Sequence, residues 1–167
     1  MVRKKLVKKQ IKNKATTSIK CVWGLLCSMS AIDQQQTNIS LFNIIDQLNI
    51  PRGEFEKIKQ DKSNLLLPIS HELVLFWRRT LGINLSDEYI RTELKLSLVD
   101  PRGKILSELL TTLEMPSQKR SVRFRMQNTV FTVTEPGDYV YRIEIIQPDG
   151  KDFMEVLQIP FLVCQID

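Results

Sequence analysis

Apolar and polar residues alternate along the second half of the chain with the period of two that is typical of half-buried β-strands. Residues 121–133 keep this alternation until Asn128 interrupts its phase, which predicts a β-bulge near that residue. The clearest strand is predicted at residues 90–99. Its inner face would carry Thr92, Leu94, Leu96 and Leu98, and its outer face Glu93, Lys95 and Ser97.

Turns rich in proline and glycine separate these segments. In the turn at residues 100–103, Pro101 presets φ and Gly103 supplies the left-handed position. Pro160 lies within the last apolar segment and favours a sheet edge or a bulge there, because proline cannot donate to a strand ladder. The strands that these turns bound are predicted at residues 104–113, 139–146 and 153–163.

The first half of the chain is less regular. Phe55 and Ile58 stand at helical spacing, which predicts a short helix at residues 52–62. Residues 33–36 are predicted as a turn and residues 81–88 as a loop. Strands are predicted at residues 19–30, 37–45 and 71–80, the first two forming a hairpin.

The pattern therefore predicts about eight strands and one or two short helices. Strand spacings of this kind, with Pro/Gly turns between them, are typical of an antiparallel β-sandwich. The residues at 135–141 add a second indication, because a Pro-Gly turn followed by Tyr139 resembles the tyrosine corner of immunoglobulin-like domains. We expect an immunoglobulin-like β-sandwich at residues 19–167, preceded by a basic flexible tail at residues 1–18.

Charge is distributed unevenly along the chain. Residues 1–20 contain eight of the 24 Lys and Arg residues and no acid, so the remaining 16 basic residues face all 19 acidic ones, which leaves −3 on residues 21–167. This argues against a basic face spread over the whole domain, and leaves an arm able to bind phosphates or an anionic membrane. Its basic residues, apart from Lys20, are Arg3, Lys4, Lys5, Lys8, Lys9, Lys12 and Lys14.

Candidate catalytic chemistry is sparse. His71 is the only histidine, and its place at the start of an apolar run favours a structural role. Cys21 and Cys27 share parity, so we expect both on one face of the first strand, and with Cys164 they have no metal-ligand spacing. Phosphate-binding glycine loops are absent. We predict no enzyme activity, no cofactor and no metal.

One basic cluster lies outside the tail. Arg123 and Arg125 alternate outward on a predicted strand, just after Lys119 and Arg120. A solvated face is the ordinary interpretation of such a cluster. The alternative is a binding patch for an acidic partner or a nucleic-acid backbone.

Three segments resemble a family of small uncharacterised bacterial proteins. They are the apolar residues 23–46, the turn at 98–104 and the corner at 135–139. The resemblance covers about residues 20–165, although Phe42 and Asn43 stand where that family often has glycine. It implies a β-sandwich and no assigned reaction, and it supplies no catalytic residues.

These observations favour a non-catalytic module that binds another protein through a sheet face or an edge strand. A nucleic-acid-associated factor that uses the tail and the basic strand face is the alternative, and a ligand carrier or enzyme built inside the sandwich is a third reading. Three unpaired cysteines suit a reducing compartment, so we expect a cytoplasmic protein without a membrane span. A secretion signal within residues 1–30 stays open.

Overall fold

A computed structural model describes residues 18–33, 38–61, 64–80, 89–147 and 150–167, with only the backbone described at 58–61. Within these ranges the chain is mostly β, with eleven strands and one helix. The elements in chain order are β1 Ile19–Ile32, β2 Ile39–Ile44, β3 Gln47–Pro51, α1 Arg52–Asp61, β4 Leu65–Leu67, β5 His71–Arg79, β6 Ile90–Val99, β7 Ile105–Met115, β8 Ser121–Asn128, β9 Phe131–Val133, β10 Gly137–Ile146 and β11 Phe153–Ile166.

Two larger sheets contribute to one apolar core, an arrangement that is consistent with a β-sandwich. The four-stranded sheet has the order β2-β1-β5-β8 and the five-stranded sheet the order β3-β11-β10-β6-β7. Neighbouring strands are antiparallel except β3, which runs parallel to β11. The core takes alternate residues from the strands of both sheets, among them Leu73, Leu75, Trp77, Leu94, Leu96, Tyr141, Ile143 and Phe161.

Gly24 marks the closest approach of the two sheets. A Cβ atom at this position would lie 2.6 Å from a methyl carbon of Leu157 and 2.7 Å from one of Ile159, both on β11 of the opposite sheet. Real Cβ atoms essentially never come this close to another heavy atom. The glycine therefore leaves room for the methyl groups of Leu157 and Ile159, which would have to shift if a larger residue stood at this position.

The predicted helix, the β1–β2 hairpin and the turn at residues 100–103 are confirmed. In that turn, Gly103 has φ of +81°, and one carboxylate oxygen of Asp100 accepts hydrogen bonds from the backbone N–H groups of Arg102 and Lys104. Pro160 lies on an exposed side of β11, because β3 pairs with that strand only from Leu162 onward. The predicted edge position is therefore confirmed.

The count of eight strands is wrong, because three short strands escaped the pattern. β3 and β4 lie in the stretch that we expected to be irregular. The predicted single strand with a bulge at residues 121–133 is two strands: β8 pairs with β5, whereas β9 pairs with β4. The change of phase at Asn128 marks the point where the chain leaves one sheet for another.

Candidate functional site

The predicted patch lies on the side of the four-stranded sheet that faces away from the core, which we call the outer face. Side chains directly opposite in register share a face, and the pairings set out three rows across β1, β5 and β8. From one end of the sheet to the other, the rows are Lys20–Arg78–Ser121, Trp23–Phe76–Arg123 and Leu25–Val74–Arg125. Arg123 and Arg125 therefore point outward, as the alternation predicted.

Arg125 is already engaged with a buried carboxylate. Its Nη2 lies 3.0 Å from Oε2 of Glu72, whose side chain is only 5% exposed. Glu72 also accepts hydrogen bonds from the Ser30 hydroxyl and from Nε2 of Gln127. Burial alone would raise the pKa of Glu72, but these hydrogen bonds and the Arg125 charge outweigh it and lower the pKa. We call Glu72, Arg125, Ser30 and Gln127 the outer cluster.

Arg123 is held over an aromatic pair. Its guanidinium carbon lies 5.7 Å from the centre of the Phe76 ring, which stacks on Trp23 with 5.5 Å between ring centres. All three side chains are half-buried. This part of the outer face therefore carries two aromatic rings and a guanidinium group, all of them planar.

Four exposed basic residues surround the adjoining end of this sheet, and we call them the basic rim. Lys119 and Arg120, which were predicted in one patch with Arg123 and Arg125, belong to it. The sheet adds Lys20 and Arg78, which stand directly opposite each other. The backbone N–H of Arg79 donates to the carbonyl of Arg120, which brings the turn before β8 to this end. The predicted basic tail lies outside the described residues, but the described chain begins at Ser18, beside the rim.

His71 lies between the sheets, as its structural interpretation predicted. The ring is 1% exposed and stacks on Phe131 with 3.6 Å between ring centres. Nδ1 lies 2.9 Å from the carbonyl of Ile69 and therefore carries the proton, so Nε2 accepts a hydrogen bond from the Tyr141 hydroxyl at 3.0 Å. Asn128 reaches the same nitrogen at 3.3 Å. We call His71, Tyr141 and Asn128 the inner cluster.

Burial lowers the pKa of His71, although the bond to Ile69 acts in the opposite direction. The imidazole is therefore neutral near pH 7, with both nitrogens engaged. Burial likewise raises the pKa of Tyr141. The inner cluster is therefore a set of neutral, hydrogen-bonded groups near pH 7.

The two sheets separate where their edge strands β7 and β8 run alongside each other. A cleft of about 360 Å³ opens there. Apolar side chains from both sheets and the Tyr141 ring line it together with the polar residues Ser107, Glu108, Gln127, Asn128 and Thr132. Among the described strands, β7 pairs only with β6. We call β7 and this cleft the open edge, and its exposed apolar residues are Ile105, Leu109, Leu110 and Val130.

The tyrosine corner forms as the sequence predicted. The Tyr139 hydroxyl accepts hydrogen bonds from the backbone N–H groups of Thr134 and Glu135, at 2.9 Å and 3.1 Å. It donates to the carbonyl of Glu135 at 2.7 Å. With its ring buried and its hydroxyl saturated, Tyr139 ties the entry of β10 to the preceding turn.

The expectation that Cys21 and Cys27 share a face is wrong. The β1–β5 register shifts between Cys21 and Trp23, so Cys21 pairs with the core residue Trp77 whereas Cys27 pairs with Glu72. Burial raises the pKa of Cys21 to about 11. Within the described ranges, no three His, Cys, Asp or Glu side chains come together as metal ligands. The described residues also contain no helix with the length and hydropathy of a membrane span.

Sequence reasoning missed Lys20, Trp23, Glu72, Phe76 and Arg78 as parts of the outer face. Alternation along β5 contained a signal, because Glu72, Phe76 and Arg78 share parity. Two obstacles hid the face. The nearly continuous apolar run in β5 does not show whether its odd or its even residues point outward. The bulge in β1 places Trp23 opposite Phe76, and this register is known only once the strands are paired.

No protein-family model matches the chain, and no curated protein matches it. Solved structures that it resembles include a Northeast Structural Genomics Consortium target, SoR45, at 10% identity and a TM-score of 0.38, with 88% of each chain covered. A family 123 glycoside hydrolase from Clostridium perfringens aligns at 8% identity and a TM-score of 0.40, over 90% of this chain and 28% of that one. The PmoD soluble domain from Methylocystis sp. aligns at 10% identity and a TM-score of 0.32, over 88% and 97%.

Proposed function

We propose that this chain is a non-catalytic binding module that engages a protein partner along the open edge. The observation that carries the proposal is β7 itself, an eleven-residue edge strand that contains no Lys, Arg or Pro. Natural edge strands usually carry such residues, or are very short, because an unpaired strand edge is a template for another strand. Their absence here is what a strand used for pairing needs.

The occupant that fits this edge is an extended segment of a partner protein with apolar residues at alternate positions. Its backbone would continue the five-stranded sheet beyond β7, as in other cases of strand addition. Alternate side chains would enter the cleft beside Leu109 and Met126. Glu108 and Glu114 are the two charged residues of β7, so a basic residue in the partner segment would be complementary.

The inner cluster supports a non-catalytic interpretation. The single histidine is buried, neutral and bonded through both nitrogens, so it stabilises the packing of the sheets. A catalytic histidine requires a free nitrogen within reach of a substrate proton. Turnover that a single polar substitution abolishes would contradict this part of the proposal.

We also propose that the sandwich is immunoglobulin-like and belongs to the bacterial family that the sequence resembles. The order β1-β5-β8 in one sheet and β11-β10-β6 in the other corresponds to strands A-B-E and G-F-C of the immunoglobulin topology. The Tyr139 corner then falls at the start of strand F, where that topology has it. An experimental structure with a different strand order would contradict the assignment.

The experiment is affinity purification of three baits, each lacking residues 1–17 and each treated with nuclease. The baits are the otherwise unchanged chain, a Leu109→Lys and Leu110→Lys variant of β7, and a Met154→Lys and Leu162→Lys variant of β11. The control residues are exposed apolar residues of the same sheet. We expect the unchanged bait and the β11 variant to recover a partner protein that the β7 variant does not recover. Equal recovery by all three baits contradicts the proposal.

A further inference from the structure

We propose that the outer face of the four-stranded sheet binds single-stranded nucleic acid, with bases on the Trp23–Phe76–Arg123 row and phosphates along the basic rim. This site is separate from the open edge. The rim adjoins the end of the sheet at which β1 begins, and the aromatic row is its immediate neighbour on the sheet surface.

The basic rim has no carboxylate partner among the residues that the structure describes. Lys20 and Arg78 stand directly opposite each other on neighbouring strands, a like-charge pair that weakens the pairing of those strands. Within the described part of the chain, neither residue forms an ion pair with a carboxylate, and the same is true of Lys119 and Arg120. Exposed cations kept together without an internal partner are suited to an external polyanion.

The chain itself adds more positive charge at this end. The backbone N–H of Thr80 donates to the carbonyl of Ser18 at 3.0 Å, so residues 1–17 join the domain beside the rim. Those residues contain seven Lys or Arg and no acid. Residues 21–167 carry a net negative charge, so the positive charge is concentrated in the first twenty residues of the sequence.

The aromatic row distinguishes a nucleic acid from a simple counterion. Aromatic and guanidinium planes on a sheet surface are the groups on which unstacked bases pack, and they accept any base because each has a π face. Trp23 and Phe76 lie side by side on neighbouring strands, next to Arg123 on the third. The planar side chains of the row would stack on the bases of an extended nucleic-acid strand, and the basic rim beside them would bind its phosphates.

A single strand fits this surface better than a membrane does. Trp23 and Phe76 are half-buried, so they offer ring surface to a base that lies on the sheet but do not project far enough for insertion between lipids. It also fits better than a duplex, whose bases are stacked and cannot reach the rings. Anionic vesicles and duplex DNA therefore serve as the competing ligands of the test.

The test is fluorescence anisotropy of a labelled oligothymidylate with the full chain at several salt concentrations. A variant that replaces Lys20, Arg78, Lys119 and Arg120 by Gln should lower the slope of log affinity against log salt by about 3, since each contacted phosphate of a single strand contributes roughly 0.7. Trp23→Ala should weaken binding by roughly 5- to 100-fold, the range typical of losing one stacked base. Trp23→Phe should recover most of that loss.

The matched control removes two Arg and two Lys elsewhere, with Arg52, Lys57, Arg91 and Lys104 replaced by Gln. All four residues are exposed. Equal weakening by the rim and control variants overturns the proposal, because binding would then follow net charge alone. A chain without residues 1–17 should bind the oligonucleotide more weakly, and the rim substitutions should weaken that binding further. The proposal is also overturned if the deletion abolishes binding altogether. The same holds if the full chain prefers phosphatidylserine vesicles or duplex DNA to the single strand. Melting curves of each variant separate lost binding from lost folding.

Discussion

Neighbouring residues of β5 and β8 contribute to both the inner and the outer cluster, but the ionisable groups of the two clusters are held in opposite charge states. His71 pairs in register with Asn128, and Glu72 pairs with Gln127 one residue later. Alternation directs the first pair between the sheets and the second pair away from them. Between the sheets the ionisable group is neutral, because burial lowers the pKa of His71. On the outer face the ionisable group is charged, because hydrogen bonds lower the pKa of Glu72.

The difference shows what each environment supplies. Nδ1 and Nε2 of His71 have one carbonyl and two neutral polar side chains within reach, and no charged partner is within hydrogen-bond distance among the described residues. Glu72 is equally buried but has a guanidinium, a hydroxyl and an amide, which together replace the water that a carboxylate loses on burial. Removing a partner should therefore cost more in the outer cluster than in the inner one.

Glu72→Gln should have the largest effect. It leaves the Arg125 guanidinium, one-third exposed, without its counterion, and breaking such a pair costs about 3 kcal/mol of unfolding free energy. Urea denaturation at pH 7 measures the loss. Glu155→Gln is the control, because Glu155 pairs with Arg142 at 3.4 Å on the other sheet and these two side chains are 43% and 36% exposed, so a loss of about 1 kcal/mol or less is expected. Equal losses for the two variants would contradict the comparison.

Tyr139→Phe should rank second. The hydroxyl of Tyr139 accepts hydrogen bonds from two backbone N–H groups and donates one to a carbonyl, and phenylalanine removes all three bonds. Leaving those groups without a partner costs about 2 kcal/mol, again measured by urea denaturation. A loss of a few tenths of a kcal/mol would show that water replaces the hydroxyl, and the corner would then contribute little to stability.

Tyr141→Phe should cost less, about 1 kcal/mol, although Tyr141 is buried on the same strand. Its hydroxyl serves Nε2 of His71, and the Asn128 amide lies close enough to donate to the same nitrogen. The pair Tyr139→Phe and Tyr141→Phe thus removes one hydroxyl from each of two buried tyrosines. A larger loss for Tyr141→Phe would mean that Asn128 does not compensate.

The sequence predicts the strands that have one solvent-exposed face and one buried face. β6 was found with its bounds because its polar and apolar residues alternate, and the Tyr139 corner was found because a Pro-Gly turn precedes it. It also identified the helix that buries Phe55. Local spacing is enough in these cases, because the nearest neighbours along the chain determine the conformation.

The sequence does not predict what depends on pairing between distant strands. Glu72 and Arg125 are 53 residues apart, and only the β5–β8 register brings them together. β3 does alternate, with Leu48 and Ile50 buried, but five residues are too few to distinguish from an irregular segment. The open edge likewise depends on strand order. The sequence predicts β7 as an ordinary strand, and only the sheet shows that β7 pairs with β6 alone among the described strands.

The pH dependence of stability should separate the two clusters most finely. His71 has an ordinary pKa of 6.5 and a lower pKa in the folded chain, so below about pH 6.5 the unfolded chain binds more protons. Stability should therefore be complete above that pH and fall as the pH drops toward the folded pKa. Tyr141 faces the ring but does not titrate in this range, because burial raises its pKa.

Glu72 contributes in the same direction but at lower pH. Its folded pKa is also depressed, so its contribution is present above its ordinary value of 4.5 and is lost as the pH falls through the folded pKa. Urea midpoints between about pH 8 and pH 5.5 thus isolate His71 from the outer cluster. The unchanged chain should lose stability across this range more steeply than His71→Gln does. Parallel curves would mean that the folded imidazole accepts a proton as readily as the unfolded one, which the hydrogen bonds of the inner cluster do not allow.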